Sequence, residues 1–344
     1  MLRSPIQPRR NLLERERNTG SLASNPRNPA PEKQFHSDSS TDYLKVDLHV
    51  HSYFSGKTNH VRPLEPMDCY STPERVYALA KARGMDLVTI TDHDSIEGCL
   101  DFLNKYPDKT RDFFIGEEVT TSLPEFSTNI HVGVYNITEA QHREITRLKS
   151  RFDDLLAYLK SNQIIYVLNH FFLGFPQRQH GRRFVEKMLQ SFDLFEAVNG
   201  AISNRQNQLL TQIIPRFPGK AVVAGSDSHT LLRLGSCYTL GQGKTKQEFL
   251  ESMRTGRVSI VGKASRFIHV FNDAMGVYLA YFRDIAFRNE VHRDWSRSKR
   301  IRNAFGWAGW LPMFFGLSLV YSFLHYRQEE KKQGYYGGLL REFL

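Results

Sequence analysis

From residue 43 onward, hydrophobic and polar positions alternate with two different periods, and before it with neither. Short runs rich in Val, Ile, Leu and Phe at 45–50, 86–91, 113–119, 130–135, 164–168, 194–198 and 221–224 predict β-strands. Between several of them, apolar residues fall three and four apart, at 73–83, 139–161, 182–190 and 204–214, and predict amphipathic helices. The first helix should open on Thr72 and Pro73 and stop at Gly84. A threonine hydroxyl can accept an unpaired N–H of the first turn, proline's fixed φ suits that turn, and glycine tolerates the left-handed residue that ends it. Strand–helix alternation of this kind predicts an α/β chain with a parallel sheet or barrel.

Both ends depart from the pattern. Residues 1–42 hold Pro5, Pro8, Pro26, Pro29 and Pro31 among many Asn, Ser and Arg, and are expected to be disordered. No apolar core follows the arginines, so no secretory signal is expected, and Glu14, Glu16 and Glu32 count against a transit peptide. At the other end, 304–324 is a run of 21 residues without a charge. At about 1.5 Å per residue it is long enough to cross a hydrocarbon core of about 30 Å. Trp307, Trp310 and Tyr321 suit the interfaces of such a span; Pro312 and three glycines suit a buried or surface-lying helix instead. Arg293, Arg297, Lys299, Arg300 and Arg302 precede the run, and Arg327, Lys331 and Lys332 follow it. The heavier basic flank is N-terminal, which would put the preceding domain in the cytoplasm, anchored to the inner face of a membrane. Three parts are thus expected: 1–42 disordered, 43–262 the folded α/β domain, and 263–344 a basic extension carrying the apolar run.

Composition narrows the choice. A chain of 344 residues can build a core without disulfide staples, and 40% hydrophobic with 24% charged residues is ordinary for a globular protein. Cys69, Cys99 and Cys237 lie far apart, which argues against a disulfide framework or a thiolate zinc site and favours a reducing compartment. The formal charge is +10, and 263–344 holds thirteen Lys/Arg against seven Asp/Glu. A basic tail suits an anionic surface, though nothing in the sequence marks specific DNA binding.

The chemistry lies at the strand exits. Asp47-Leu48 runs into His49-Val50-His51, Thr89-Ile90-Thr91 into Asp92-His93-Asp94, and Ile115-Gly116 into Glu117-Glu118. Val167-Leu168 runs into Asn169-His170, and Ala224-Gly225-Ser226 into Asp227-Ser228-His229. In a parallel barrel these ends converge on one face, so residues 180 positions apart can share a site. Two histidines separated by one residue fall on the same side of a strand and can hold one divalent ion. A carboxylate such as Glu118 has two oxygens and can bridge two ions, and paired ions can bind a phosphoryl group and lower the pKa of a water between them. Imidazole and carboxylate ligands without thiolates suit Mn, Fe or Zn. His131 stands near the start of its run and needs a loop or an antiparallel strand to aim it inward. Glu196 and Asn199 read as buried polar support, and Gly241 and Gly243 as loop glycines without a phosphate-binding motif. Lys57, Arg178, Arg182, Arg183 and Arg205 are candidates to grip phosphate.

These motifs, in order over about residues 43–240, resemble those of the PHP (polymerase and histidinol phosphatase) family of metal-dependent phosphoesterases. The resemblance implies a distorted (β/α)7 barrel with two or three divalent ions. It makes His49, His51, His93, Glu118, His131, His170, Asp227 and His229 metal ligands, gives Glu118, His170 and Asp92 catalytic roles, and has Asp92 orient His93 or its loop. In one place the chain departs from the family. Where many members carry a ligand for a third ion, it reads Ser55-Gly56-Lys57, and the nearest substitute in sequence is His60.

Two functions compete. The first is a phosphoesterase that hydrolyses a small phosphomonoester or nucleotide with a metal-activated water. The second is a membrane-tethered binding or scaffold module with a vestigial metal site, favoured by the absent third-ion residue and by the apolar tail.

Overall fold

The computed structural model describes residues 42–57, 67–173, 175–262, 267–288 and 291–344. The expected disordered segment and His60 lie outside the described residues. Nine strands are described: β1 (Tyr43–Val46), β2 (Val88–Ile90), β3 (Phe113–Leu123), β4 (Thr128–Tyr135), β5 (Ile165–Leu168), β6 (Leu194–Asn199), β7 (Ala221–Gly225), β8 (Cys237–Gln242) and β9 (Val258–Gly262). The helices are α1 (Pro73–Ala82), α2 (Glu97–Lys105), α3 (Glu139–Leu148), α4 (Phe152–Ser161), α5 (Gly181–Ser191), α6 (Asn204–Ile213), α7 (Lys246–Arg254), α8 (Phe267–Arg283) and α9 (Arg297–Arg341).

Strands β2 to β7 form one curled sheet in sequence order. The chain past β1 closes the gap between its edges: Val50 bridges Ser228 beyond β7, and the Thr91 N–H beyond β2 donates to the Val50 carbonyl at 2.8 Å. The result is a distorted α/β barrel, with β8 pairing antiparallel to both β1 and β9 below it. Gly225 permits the closure, because a Cβ there would stand 2.4 Å from His49 Cβ and 2.7 Å from its backbone nitrogen. One reversal breaks the parallel order. β3 and β4 form an antiparallel hairpin, turned at Pro124–Phe126, with Ser127 left-handed at φ 51°.

Local signals set the helix starts. Thr72 accepts the Arg75 N–H and Pro73 opens α1, while Thr138 and Thr245 form reciprocal caps with Gln141 and Glu248. The single helix expected over 139–161 is two, α3 and α4, broken at Arg151 where the backbone turns extended (φ −125°, ψ 88°). Gly241 is not a loop residue but lies inside β8, where a Cβ would meet Phe249 and Ser252 at 2.4 Å.

The expected span 304–324 is corrected. Among the described residues no helix is long and apolar enough to cross a membrane. The run is the middle of α9, and both ends of α9 rest on the barrel domain. At its start the Arg300 Nε–H donates to the Ile285 carbonyl, and Ala304 packs on the cluster of Tyr70, Tyr281, Ile285 and Trp295. At its end Tyr336, Leu339 and Leu340 enter the main core, with the Tyr336 ring 3.7 Å from that of Phe175. A span would leave its two ends on opposite sides of about 30 Å of hydrocarbon. Phe305, Phe315, Val320 and Phe323 of α9 are exposed.

Candidate metal centre

The strand exits converge as an α/β barrel requires. Past β1 the backbone carries His49 and His51 inward with their rings 5.0 Å apart. His93 follows β2 and bridges Glu118 on β3. The antiparallel hairpin explains His131: its residue pairs with Thr120, so the beginning of β4 lies beside the far end of β3 and reaches the same face as the exits of the parallel strands. His170 follows β5 and Asp227 follows β7, both with left-handed backbones (φ 25° and 51°). Non-glycine residues held in that region usually cost about 1–3 kcal/mol and concentrate at functional sites.

Glu118, fully buried, is the hub. Its Oε1 lies 2.9 Å from His170 Nε2 and 3.2 Å from His131 Nδ1, and its Oε2 lies 3.1 Å from both His49 Nε2 and His93 Nδ1. Asp227 Oδ1 sits 3.4 Å from His49 Nε2 and 3.3 Å from His51 Nε2. Four groups of side chains could hold a metal ion: His49–Glu118–His170, His49–His51–Asp227, His93–Glu118–His131 and His51–Asp68–His93–His229. Within each group the ligand atoms lie within 4.8 Å of one another.

Asp68 was not singled out from the sequence. Its carboxylate lies 2.8 Å from His229 Nε2 and 3.6 Å from His93 Nε2. Ser55-Gly56-Lys57 offers no third-ion ligand in the sequence; the structure brings the Asp68 carboxylate, from just ahead of α1, beside His229 and His93. The available signal was an acidic residue four positions before the Thr72-Pro73 helix start.

Further residues aim these ligands. Glu196 Oε1 lies 2.9 Å from His49 Nδ1, and its Oε2 accepts the His170 N–H and the Asn199 side-chain amide. A carboxylate on Nδ1 leaves the Nε2 lone pair facing the centre. Asn169 donates to Glu118 Oε1 at 3.0 Å. Asp92 reaches the His93 backbone through Ser55, whose Oγ accepts the His93 N–H at 3.4 Å. It accepts the Ser52 N–H and hydroxyl, each at 2.6 Å, and the Ser55 hydroxyl at 2.8 Å; Ser55 Oγ in turn lies 3.0 Å from His51 Nδ1. Asp47 ties the ring closed by accepting the Ser226 and Gly235 N–H groups.

The donor set fits divalent cations. Buried His49 Nε2, His51 Nε2, Asp68 Oδ2 and Glu118 Oε2 have no hydrogen-bond partner. All four are nitrogen or oxygen, all belong to the groups above, and none is a thiolate. Burial alone would raise the Glu118 carboxyl, but the charges of His49, His131 and His93 hold it well below the usual range. Asp227 is likewise held low against burial by His49, His51 and His229. Burial pushes His93 down to about 4, leaving it neutral. Burial would also lower His229, but Asp68 and Asp227 hold it up at about 10. In the metal-free chain, protons on such imidazoles balance the carboxylates, and a bound cation would displace them.

The arginines named from sequence are otherwise engaged. Arg178 stacks over the Tyr335 ring at 5.2 Å, Arg182 pairs with Glu342 at 2.7 Å, and Arg183 lies over Phe126 at 6.0 Å. Lys57 is exposed and bridges Met67 through its backbone, and Arg205 is exposed in the first turn of α6. Glu117 turns away from the centre to His142 at 2.8 Å.

Comparison with known proteins agrees with this chemistry. Residues 47–172 match the family model described as the PHP domain, and residues 216–258 match the one described as PHP-associated. An uncharacterized protein of Methanocaldococcus jannaschii, MJ1587, is 30% identical over 79 residues, 23% of this chain and 46% of that protein. The chain thus spans about half the length of the curated relative it matches. PsfC from Pseudomonas syringae is similar in structure at 16% identity, over 70% of this chain and 96% of that one, with a TM-score of 0.47. A two-domain protein of Bacteroides vulgatus, described as containing a predicted PHP-like metal-dependent phosphoesterase, is similar at 15% identity, over 64% of this chain and 65% of that one, with a TM-score of 0.45. The two sequence matches enclose Asp47 to His51, His93, Glu118, His131, His170, Asp227 and His229, and over residues 47–172 the chain is similar to the PHP domain.

Proposed function

We propose that this protein is a metal-dependent phosphoesterase whose reaction centre is built on Glu118. The observation that carries the reading is the Glu118 carboxylate with imidazoles on both of its oxygens, among buried nitrogen and oxygen atoms that carry no hydrogen bond. His49, His51 and Asp227 would hold one divalent ion and His131 and His170 another, with Glu118 between them. His51, Asp68, His93 and His229 would hold a third. Mn, Fe or Zn suits these donors. Such ions, when bound, polarise a phosphoryl oxygen and make a water acidic enough to attack phosphorus.

The chain's own residues do the rest. Glu196 and Asp92 fix the two imidazoles of the His49–His51 pair, Asp92 through Ser55. Asn169 and His170 hold the Glu118 carboxylate in place. His93, His131 and His229 are each about a quarter exposed and line the open side, where water can reach the leaving alcohol and protonate it. A small phosphomonoester or nucleotide is the substrate class we infer. Lys57 and Arg205, both exposed, are proposed to meet its phosphate from outside the centre. We take the catalytic domain as 43–262 and place it in the cytoplasm, since Cys69, Cys99 and Cys237 are all buried and free. The binding-module reading drew on an absent third-ion ligand, and Asp68 removes that argument.

The test uses the full chain purified without chelator, with elemental analysis of bound metal and phosphate release measured with Mn on phosphomonoesters. Bound metal and turnover are expected, with turnover lost and metal content lowered in His49→Ala/Asp227→Ala while the melting stays cooperative. Protein that takes up no metal in excess Mn and releases no phosphate would overturn the reading.

A further inference from the structure

A cavity of about 420 Å³ opens beside the candidate centre. His229 lines its inner end, Arg75 of α1 one wall, and α8 the other, through Met275, Leu279 and Arg283. Helix α8 is fixed there from both directions. The Thr230 hydroxyl, next to His229, donates to Asp273 of α8 at 2.8 Å, and Gly276 lets the helix approach, since a Cβ there would stand 3.0 Å from Thr230. Neither family match reaches α8, so this wall belongs to the chain's own C-terminal extension.

The lining is of two kinds. Leu232, Met275 and Leu279 make it apolar in part. Arg75 and Arg283 bring two guanidiniums, neither with an ion-pair partner among the described residues. Asp284, the one carboxylate on the wall among the described residues, accepts the Val291 and His292 N–H groups and lies 2.8 Å from His292 Nδ1. A volume of this size holds a small organic molecule, and partly apolar walls with a few polar groups are the usual form of such a site.

We infer that the cavity is a specificity site for a phosphomonoester with an apolar organic body and a second anionic group, which Arg75 and Arg283 bind while the scissile phosphate lies at the metal centre. This rests on the phosphoesterase reading and adds to it the class of alcohol that leaves. A guanidinium grips carboxylate or phosphate through two parallel hydrogen bonds, so the second group can be of either kind.

The experiment compares phenyl phosphate, 4-carboxyphenyl phosphate and 1,4-phenylene bisphosphate on the Mn-loaded full chain, its Arg75→Gln and Arg283→Gln variants, and Arg283→Lys. The wild type should favour one or both bifunctional esters by about tenfold or more in KM, the scale of one charge-assisted hydrogen bond. Each glutamine variant should lose that preference with phenyl phosphate unchanged, and Arg283→Lys should keep part of it. Preference for the carboxylate or the bisphosphate identifies the second group. Equal KM values in all four proteins, with phenyl phosphate still hydrolysed, would overturn the cavity proposal and leave the phosphoesterase reading standing. If no ester is hydrolysed, the phosphoesterase reading fails by itself. Calorimetric binding of 1,4-phenylene bisphosphonate then decides the cavity: binding weakened by Arg283→Gln supports it, and no binding overturns it.

Discussion

Withdrawing metal should destabilise this protein by an amount that its buried donor atoms set. His49 Nε2, His51 Nε2, Asp68 Oδ2 and Glu118 Oε2 are out of contact with water and have no hydrogen-bond partner. Leaving one buried polar atom unsatisfied costs about 1–3 kcal/mol, and since ion pairs such as Glu118 Oε2 with His49 Nε2 and Asp68 Oδ2 with His229 Nε2 offset part of that, the low end of the sum for four, about 4 kcal/mol, applies against a whole-domain stability of about 5–15 kcal/mol. Mass action gives the same scale: one ion present at about a thousand times its dissociation constant adds about 4 kcal/mol. For a domain this large each kcal/mol moves the midpoint by about 2–4 °C, so even the low end predicts a fall of about 8 °C. Scanning calorimetry on the full chain, before and after chelation confirmed by elemental analysis and again after Mn is restored, measures it. The His49→Ala/Asp227→Ala variant, which lacks two ligands of one ion, should respond less than the wild type to either treatment. A midpoint that moves less than about 2 °C on proven metal removal would refute the reasoning, because these atoms would then have satisfied partners of another kind.

Four further outcomes follow from the same geometry. Asp68→Asn should lower the metal content by one ion per chain and leave the melting transition cooperative; unchanged elemental stoichiometry would count against Asp68 as a ligand. Glu196→Gln, which keeps the shape but not the charge behind His49, should weaken metal binding by about 10–100-fold in a competition titration. Gly225→Ala should push the His49 backbone out of the ring and lose both metal and turnover, since no side chain fits there; full activity in that variant would mean the ring closes differently. Tyr336→Ala should cost about 3–5 kcal/mol and expose α9 to limited proteolysis, whereas a digestion pattern like the wild type's would show that the helix end does not depend on its seat against Phe175.

The sequence alone carried much of what depends on neighbours along the chain, though not α2, α7, β8 or β9. Short apolar runs marked the strands, and the seven they predicted all form, with bounds shifted by a few residues. Thr72 and Pro73 marked the start of α1 because capping needs only the first turn. His49 and His51 could be paired because alternate residues of an extended chain share a side. What the sequence could not carry depends on which strands meet. His131 reaches the centre only because β4 runs against β3, and strand direction is set by pairing, not by composition. Asp68 lies beside His229 across more than 160 residues of chain, so spacing along the sequence gave no measure of their approach. The run 304–324 reads as a span because hydropathy sees a segment and not its ends. Ala304 on the cluster that includes Tyr70, and Tyr336 on Phe175, hold both ends of α9 to the barrel, and α8, anchored by Asp273 on Thr230, walls the cavity beside His229. Ligand types and their strand exits follow from local pattern; their distances, their supporting carboxylates and the cavity follow from packing between elements far apart in sequence, which only the closed barrel brings into contact.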